Sequence, residues 1–143
     1  YAFYVLGYNL RPTEITGFLG CEQIKYLDEM FDKRNKNFLK FEAVASQNSD
    51  FKKLDFSHME FISNFAYPLI FNDKETLEKY KKKFSEVEIR TIVGGDMTQQ
   101  PFFINRKYSC PNSGLIQSLG FYIPNNPDLT EEEIKSILEL LRQ

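Results

Sequence analysis

A stripe of apolar residues at helical spacing, running from Thr13 to Phe41, constrains the fold of this chain more than any other feature. Its intervals of three, four, seven and eight residues fit a period of 3.6 and predict one long amphipathic helix over this span. Pro12 suits a first helical position, and Thr13 or a residue before it can cap the helix. Gly17 and Gly20 lower helix propensity, so we expect them to allow close approach of another element, in this chain or in another. The stripe consists of Ile15, Leu19, Leu27, Met30, Phe31, Phe38 and Phe41, and Phe18 and Ile24 widen it.

The rest of the chain predicts short strands separated by helices. A strand at 59–71 has an edge or bulge position at Pro68, because proline has no N–H for a sheet ladder. Two further strands are predicted at 88–93 and 120–123. This order of elements indicates a small α+β layer structure in a single domain of residues 1–143.

Two more helices complete the prediction. One spans 73–87, where Asp73 can cap the first turn, and its lysines alternate with glutamates, as is typical of a solvated helix face. The closing helix begins after Thr130. Glu133 follows three residues later, which is the spacing of a capping box.

Composition excludes several functional classes. The formal net charge of −2 gives no long-range attraction for nucleic acid or anionic membranes. No apolar run reaches the roughly 20 residues that a membrane-spanning helix needs. Two cysteines, Cys21 and Cys110, are too few for a disulfide framework, so we expect free thiols and a cytoplasmic location.

Catalytic and metal-binding motifs are absent from the sequence. The chain has one histidine, His58, and no G-x-S-x-G segment, which excludes a Ser-His-Asp hydrolase. His58 and two distant cysteines cannot provide the four ligands of a structural zinc site. Phosphate-binding glycine motifs are also missing. The sequence therefore predicts no catalytic residue and no metal ligand.

Two loops have the composition of binding sites. The loop Gly7–Arg11 places an amide, a phenol and a guanidinium at the entrance of a helix, which suits a phosphate or carboxylate. The alternative is an ordinary capped loop. The loop Gly94–Pro101 follows a predicted strand and suits either hydrogen bonds to a polyhydroxyl ligand or a tight turn. Its polar side chains are Asp96, Thr98, Gln99 and Gln100.

Four segments resemble, in order, parts of the DegT/DnrJ/EryC1/StrS family: GYNLRPTEITGFLGCEQIKYLDEMFDKRNKNF, FISNFAYPLIF, EIRTIVGGDMTQQPFF and GFYIPNNPDLTEEEI. Members of that family are pyridoxal-phosphate (PLP) enzymes of the aspartate-aminotransferase fold that act on nucleotide-linked keto sugars. The segment GGDMTQQP looks most like the branch that contains perosamine-synthase-like aminotransferases and 4-keto-6-deoxyhexose 3-dehydrases. The resemblance implies the C-terminal small domain, with a short, mostly antiparallel sheet, helices on one face and a long N-terminal helix.

The resemblance also implies roles for individual residues. Asn9 would reach across a homodimer to the PLP phosphate of the other subunit, and Arg11 would lie beside it. Asp96, Thr98 and Gln100 would face a nucleotide-linked keto sugar, with an amino donor as co-substrate. The implied pathway is amino- or deoxy-sugar synthesis for lipopolysaccharide or another surface glycan.

The chain departs from the family pattern in three places. The Schiff-base lysine belongs to the family's large domain, and no lysine of this chain matches it, so we expect no turnover by these residues alone. Gln99 stands where the branch often has a basic residue, and Pro124 where glycine is common. Aminotransfer and C3 dehydration both stay open. A standalone dimerisation or sugar-nucleotide-binding module with the same fold is the remaining alternative.

Overall fold

The structure is a computed structural model that describes residues 2, 4–5, 7–8, 12–92, 95–103, 105 and 108–143. Among these residues it contains five α-helices and one two-stranded antiparallel sheet, which confirms the predicted α+β class. Asn9 and Arg11, which the resemblance places near the cofactor phosphate, lie outside the described residues.

The predicted long helix is two helices in series. Helix α1 spans Glu14–Gln23, a 3-10 turn spans Ile24–Tyr26, and helix α2 spans Leu27–Ala45. The prediction of one uninterrupted helix was therefore wrong, and so was its end, which lies beyond Phe41. Helix α1, before the turn, buries no residue, whereas the buried residues of helix α2 begin at Asn37.

Helix α1 is capped but does not pack on the rest of the described chain. Thr13 Oγ1 accepts a hydrogen bond from the N–H of Thr16 at 3.1 Å, which confirms Thr13 as a cap. Pro12 lies before this cap, so its predicted place at the first helical position was wrong. None of its residues is buried. A Cβ atom added at Gly17 or Gly20 would meet nothing within 4 Å outside the helix. The close approach predicted at these glycines is therefore not made to any described residue of this chain.

The sheet pairs β1, Ala66–Ile70, with β2, Gly120–Pro124. Alternate residues of both strands face the hydrophobic core, as expected from the two-residue period of a strand. The buried members are Tyr67 and Leu69 of β1 and Phe121 and Ile123 of β2, and each lies opposite a partner in this set.

Pro68 is accommodated because its missing N–H lies on the outer edge of β1. Pro68 is opposite Tyr122, whose N–H and C=O both bond to the backbone of Arg90 on the other side of β2, at 2.8 and 3.1 Å. Pro68 and Tyr122 are therefore a non-hydrogen-bonded pair, so pairing with β2 requires no backbone N–H from Pro68. The predicted edge position is confirmed.

The strands predicted at 59–71 and 88–93 are both shorter in the structure than expected. The strand predicted at 59–71 begins only at Ala66, because the preceding residues bond elsewhere: the N–H of Ile62 donates to Asn35 Oδ1 at 3.3 Å. The strand predicted at 88–93 is reduced, among its described residues, to an isolated bridge between Arg90 and Tyr122. The backbone turns away shortly afterwards, where the N–H of Gly95 donates to the carbonyl of Ile92.

Three further helices are present. Helix α3 spans Lys74–Lys83 and is capped by Asp73, helix α4 spans Pro111–Leu119, and helix α5 spans Glu131–Leu141. Helix α3 ends earlier than predicted. The capping box before α5 is confirmed in both directions.

The core lies between the sheet and helices α2, α3 and α5. The helices contribute Phe38, Phe41, Ala45, Leu77, Tyr80, Ile134, Ile137 and Leu141. Asn125, which is fully buried, joins α2 to the segment before β1, because its Nδ2 donates to the carbonyls of Arg34 and Asn64 at 3.0 and 2.8 Å. No helix in the described part of the chain is long and apolar enough to cross a membrane.

Candidate functional site

A cavity of about 1170 Å³ lies beside the face of the sheet that points away from the core. This volume exceeds the roughly 300–1,000 Å³ that is typical of small-molecule pockets. Its walls combine aromatic rings with side chains that donate hydrogen bonds. The lining includes Phe65, Arg90, Gln99, Gln100, Gln117 and Tyr122.

Backbone pairing positions the arginine of this cavity. Arg90 and Tyr122 exchange two N–H···O bonds, so their side chains project from the same face of the sheet. Ile89, which precedes Arg90, borders the same cavity and also packs against the core. The guanidinium also donates from Nε to Glu88 Oε1 at 2.8 Å and from Nη2 to the same oxygen.

Gly95 shapes the loop on the opposite wall. Its φ of 70° lies in the left-handed region, which favours glycine. A Cβ atom at this position would also collide with the Gln117 side chain. Gln117 Oε1 accepts a hydrogen bond from the N–H of Asp96, so the loop and helix α4 are joined here. The sequence suggested a tight turn or a binding loop; the structure shows the turn, and the binding role stays a prediction.

Asp96 organises this loop from within. The residue is only 4% exposed, and its Oδ1 accepts hydrogen bonds from the N–H of Thr98 at 2.9 Å and from Thr98 Oγ1 at 2.7 Å. It thereby caps a 3-10 turn at Met97–Gln99. A second turn, Pro101–Phe103, follows at once.

The structure separates the residues predicted to face a substrate. Gln100 lines the cavity and is 7% exposed. Asp96 and Thr98 hold the loop that carries Gln100 but are not among the described lining residues. A substrate contact by any of the three stays a prediction.

Sequence reasoning missed Phe65, Arg90 and Tyr122. That Arg90 meets Tyr122, 32 positions later (122 − 90), is decided by strand pairing, which the local sequence does not encode. Phe65 joins them because its carbonyl accepts a hydrogen bond from the N–H of Asn125, just after β2.

Strong electrostatic perturbation lies elsewhere in the molecule. Burial raises the pKa of Tyr67 well above its usual range, and its hydrogen bond to Glu42 Oε2, at 2.5 Å, raises it further. Tyr67 belongs to the core, so this shift reflects packing. Among the described residues there is no group of three histidines, cysteines and carboxylates that would hold a metal ion. The described residues that line the cavity offer aromatic rings, amide groups and a guanidinium.

Comparison with known proteins places this arrangement in context. A family model described as the DegT/DnrJ/EryC1/StrS aminotransferase family matches residues 1–142. The lipopolysaccharide biosynthesis protein RfbH of Salmonella typhimurium is 25% identical over 96% of this chain. The GDP-4-keto-6-deoxy-D-mannose 3-dehydratase of Yersinia pseudotuberculosis is 26% identical over 100% of it. The chain spans only 34% and 38% of the length of these two relatives.

Solved structures share the fold. The sugar aminotransferase CalS13 from Micromonospora echinospora superimposes with a TM-score of 0.76 at 15% identity, over 95% of this chain and 36% of that one. An E. coli GDP-4-keto-6-deoxy-D-mannose-3-dehydratase with bound hydrated PLP gives 0.71 at 20% identity, over 96% and 37%. The predicted small-domain architecture is therefore found in known sugar-modifying enzymes.

Proposed function

Because the chain belongs to the DegT/DnrJ/EryC1/StrS aminotransferase family, we propose that it is the C-terminal small domain of a PLP-dependent enzyme. The enzyme acts on nucleotide-linked 4-keto-6-deoxy sugars, by aminotransfer or by dehydration at C3. Its product serves amino- or deoxy-sugar synthesis for lipopolysaccharide or another surface glycan. The two curated relatives support this pathway, since one is a lipopolysaccharide biosynthesis protein and the other a GDP-sugar dehydratase.

One observation carries the proposal: Gln100 and Arg90 line the same large cavity. A nucleotide-linked sugar offers hydroxyl and phosphate oxygens to amide donors such as Gln100, and a flat base that can stack on a guanidinium such as that of Arg90. Gln100 is assigned to the sugar side. Asp96 and Thr98 hold the loop in the conformation that presents it.

The donors of this cavity suit a phosphate-bearing group such as PLP, and the cofactor's phosphate is assigned to Asn9 and Arg11. When bound, PLP supplies the electron sink of the reaction, while protein residues orient the substrate and move protons. No lysine is among the described lining residues. The described residues therefore bind and orient, and the proton-transferring amine is assigned to a part of the enzyme outside them.

A homodimer is part of the proposal. Helix α1 exposes Ile15, Phe18 and Leu19 to 73%, 67% and 54%, at spacings that place them on one face. Apolar faces of this kind mark interaction surfaces. A dimer would bury this face and bring the residue 7–11 loop to the partner's cofactor. Both cysteines are free thiols, which suits the proposed cytoplasmic location.

The test uses the protein encoded by the complete gene, purified with PLP and supplied with GDP-4-keto-6-deoxymannose and glutamate. Mass spectrometry should detect either loss of water from the sugar or replacement of its keto oxygen by an amine. The 143-residue chain serves as the control and should form no product. Lack of conversion of GDP-, UDP- and dTDP-linked 4-keto-6-deoxy sugars by the PLP-loaded protein would contradict the proposal. Product formed by the 143-residue chain would contradict the assignment of the amine elsewhere.

A further inference from the structure

A smaller cavity of about 170 Å³ adjoins the large one, and the two share Phe65, Arg90 and Tyr122. Glu88 also lines the smaller cavity. We call Phe65, Glu88, Arg90 and Tyr122 the aromatic shelf. Its position between the two cavities means that one ligand can occupy the shelf and extend into the larger space.

The rings of the shelf form a pair in which Phe65 is exposed and Tyr122 is half-buried. The Phe65 and Tyr122 centroids are 5.6 Å apart with an interplanar angle of 77°, an edge-to-face arrangement that leaves a ring face open. Phe65 is 59% exposed. By contrast, Phe71 and Phe121, 5.0 Å apart, are both buried in the core. Packing explains the core pair, but a well-exposed ring beside a cavity contributes little to stability.

The charged half of the shelf is held in a defined orientation. The backbone bridge to Tyr122 fixes the side of the sheet on which Arg90 lies, and Glu88 Oε1 accepts from its Nε at 2.8 Å. The side chains of this ion pair are 63% and 66% exposed, and such pairs add little stability. The carboxylate instead orients the guanidinium plane, which is a good stacking partner for flat aromatic ligands.

We propose that the aromatic shelf binds the nucleobase of a nucleoside-diphosphate-linked ligand. A base stacks on the exposed Phe65 ring and the guanidinium, since every base has a π face. The Glu88 carboxylate accepts hydrogen bonds from ring N–H or amino groups. The diphosphate and sugar extend into the larger cavity, where Gln100 and Gln117 lie. This inference rests on the proposed function, because it assigns one end of the proposed substrate to a place on this chain.

The test measures binding of GDP, UDP and inorganic pyrophosphate to the 143-residue chain by amide chemical-shift titration. Both nucleotides should shift the Phe65, Arg90 and Tyr122 signals at saturation, and pyrophosphate should not. Phe65→Ala should raise the Kd for the nucleotides about tenfold, while Phe65→Tyr keeps the ring and the affinity. Phe61→Ala is the matched control, because Phe61 is 49% exposed and lines neither cavity.

Two outcomes would overturn the proposal that the aromatic shelf binds a nucleobase. One is an unchanged nucleotide Kd in Phe65→Ala. The other is pyrophosphate binding with the affinity of GDP and the same shifts, which would mean that the arginine binds an anion without a base.

Failure of the shelf and failure of the proposed function are distinguishable in the protein from the complete gene. There, Phe65→Ala should raise KM for the nucleotide sugar and leave kcat unchanged. If the Phe65→Ala enzyme is active and its KM is unaltered, the nucleobase proposal is overturned but the proposed function is not. No activity on any nucleotide-linked keto sugar, with nucleotide still bound at the shelf, would overturn the proposed function alone.

Discussion

Phe18 and Phe41 lie on the same apolar stripe yet meet opposite surroundings. Phe18, in helix α1, is 67% exposed, and Phe41, in helix α2, is 0% exposed. Helix α2 contacts helix α5 and the sheet through its stripe, whereas helix α1 buries no residue. The comparison teaches that helical periodicity predicts which side chains share a face, but not what that face contacts.

The difference between Phe41 and Phe18 should be largest in how much each side chain contributes to the free energy of unfolding. Phe41→Ala removes a ring from the core and leaves a cavity, so it should lower the free energy of unfolding by about 3–5 kcal/mol. Phe18→Ala, the same substitution on an exposed face, should change it by less than about 0.5 kcal/mol. Urea unfolding followed by circular dichroism measures both. Equal losses for the two variants would mean that α1 packs on the folded chain after all.

The second largest effect of the exposed α1 face should be on the oligomeric state of the chain. We expect the 143-residue chain to self-associate, because a second copy would cover the apolar face of α1. The double variant Ile15→Glu, Phe18→Glu should shift the chain towards a monomer of 16.8 kDa in sedimentation experiments. Phe61→Glu, at another exposed ring, should not. Monomeric behaviour of the unsubstituted chain over a wide concentration range would contradict the expectation.

A smaller effect separates the two threonine caps. Thr130 caps α5, which packs on the core, so Thr130→Ala should lower global stability by about 1 kcal/mol. Thr13 caps α1, and Thr13→Ala should speed amide exchange within α1 while leaving the urea midpoint unchanged. A midpoint shift of similar size in both variants would show that α1 unfolds together with the core.

The α5 cap also has a predictable pH dependence. Hydrogen bonds from the backbone and side chain of Thr130 hold the pKa of Glu133 below its usual value of 4.5. A lowered pKa in the folded state stabilises the protein above the unfolded value, and this contribution disappears as the pH falls through the folded value. Glu133→Gln should therefore show a weaker loss of stability on acidification below 4.5 than the unsubstituted chain.

Local rules predicted much of the fold. The capping box at Thr130, the edge position of Pro68 and the start of α1 at Thr13 were all correct, because each depends on a few neighbouring residues. The strand predicted at 88–93 was not, since a strand forms only where a partner continues alongside it. Helix α1 is a second example: the sequence predicted its apolar face, but it did not predict that this face would contact no other described part of the chain.

In the candidate site, too, the sequence predicted some features and not others. Gln100 was identified from the composition of its loop, and it does line the cavity. Asp96 was identified by the same reasoning, but its carboxylate bonds to Thr98 within the loop, because a buried acceptor takes the nearest N–H donors. Composition thus located the loop without separating the residues that shape it from those that face the cavity.

By itself, the sequence determined most of the helical segments, the caps of α1, α3 and α5, the small α+β class and the family resemblance, because these depend on local spacing and residue type. Only the tertiary structure decided that Phe65, Arg90 and Tyr122 meet at one cavity. The reason is physical. Strand pairing brings Arg90 beside Tyr122, and the backbone bond from Asn125 brings Phe65 to them. Contacts of such long range depend on the packing of the whole chain.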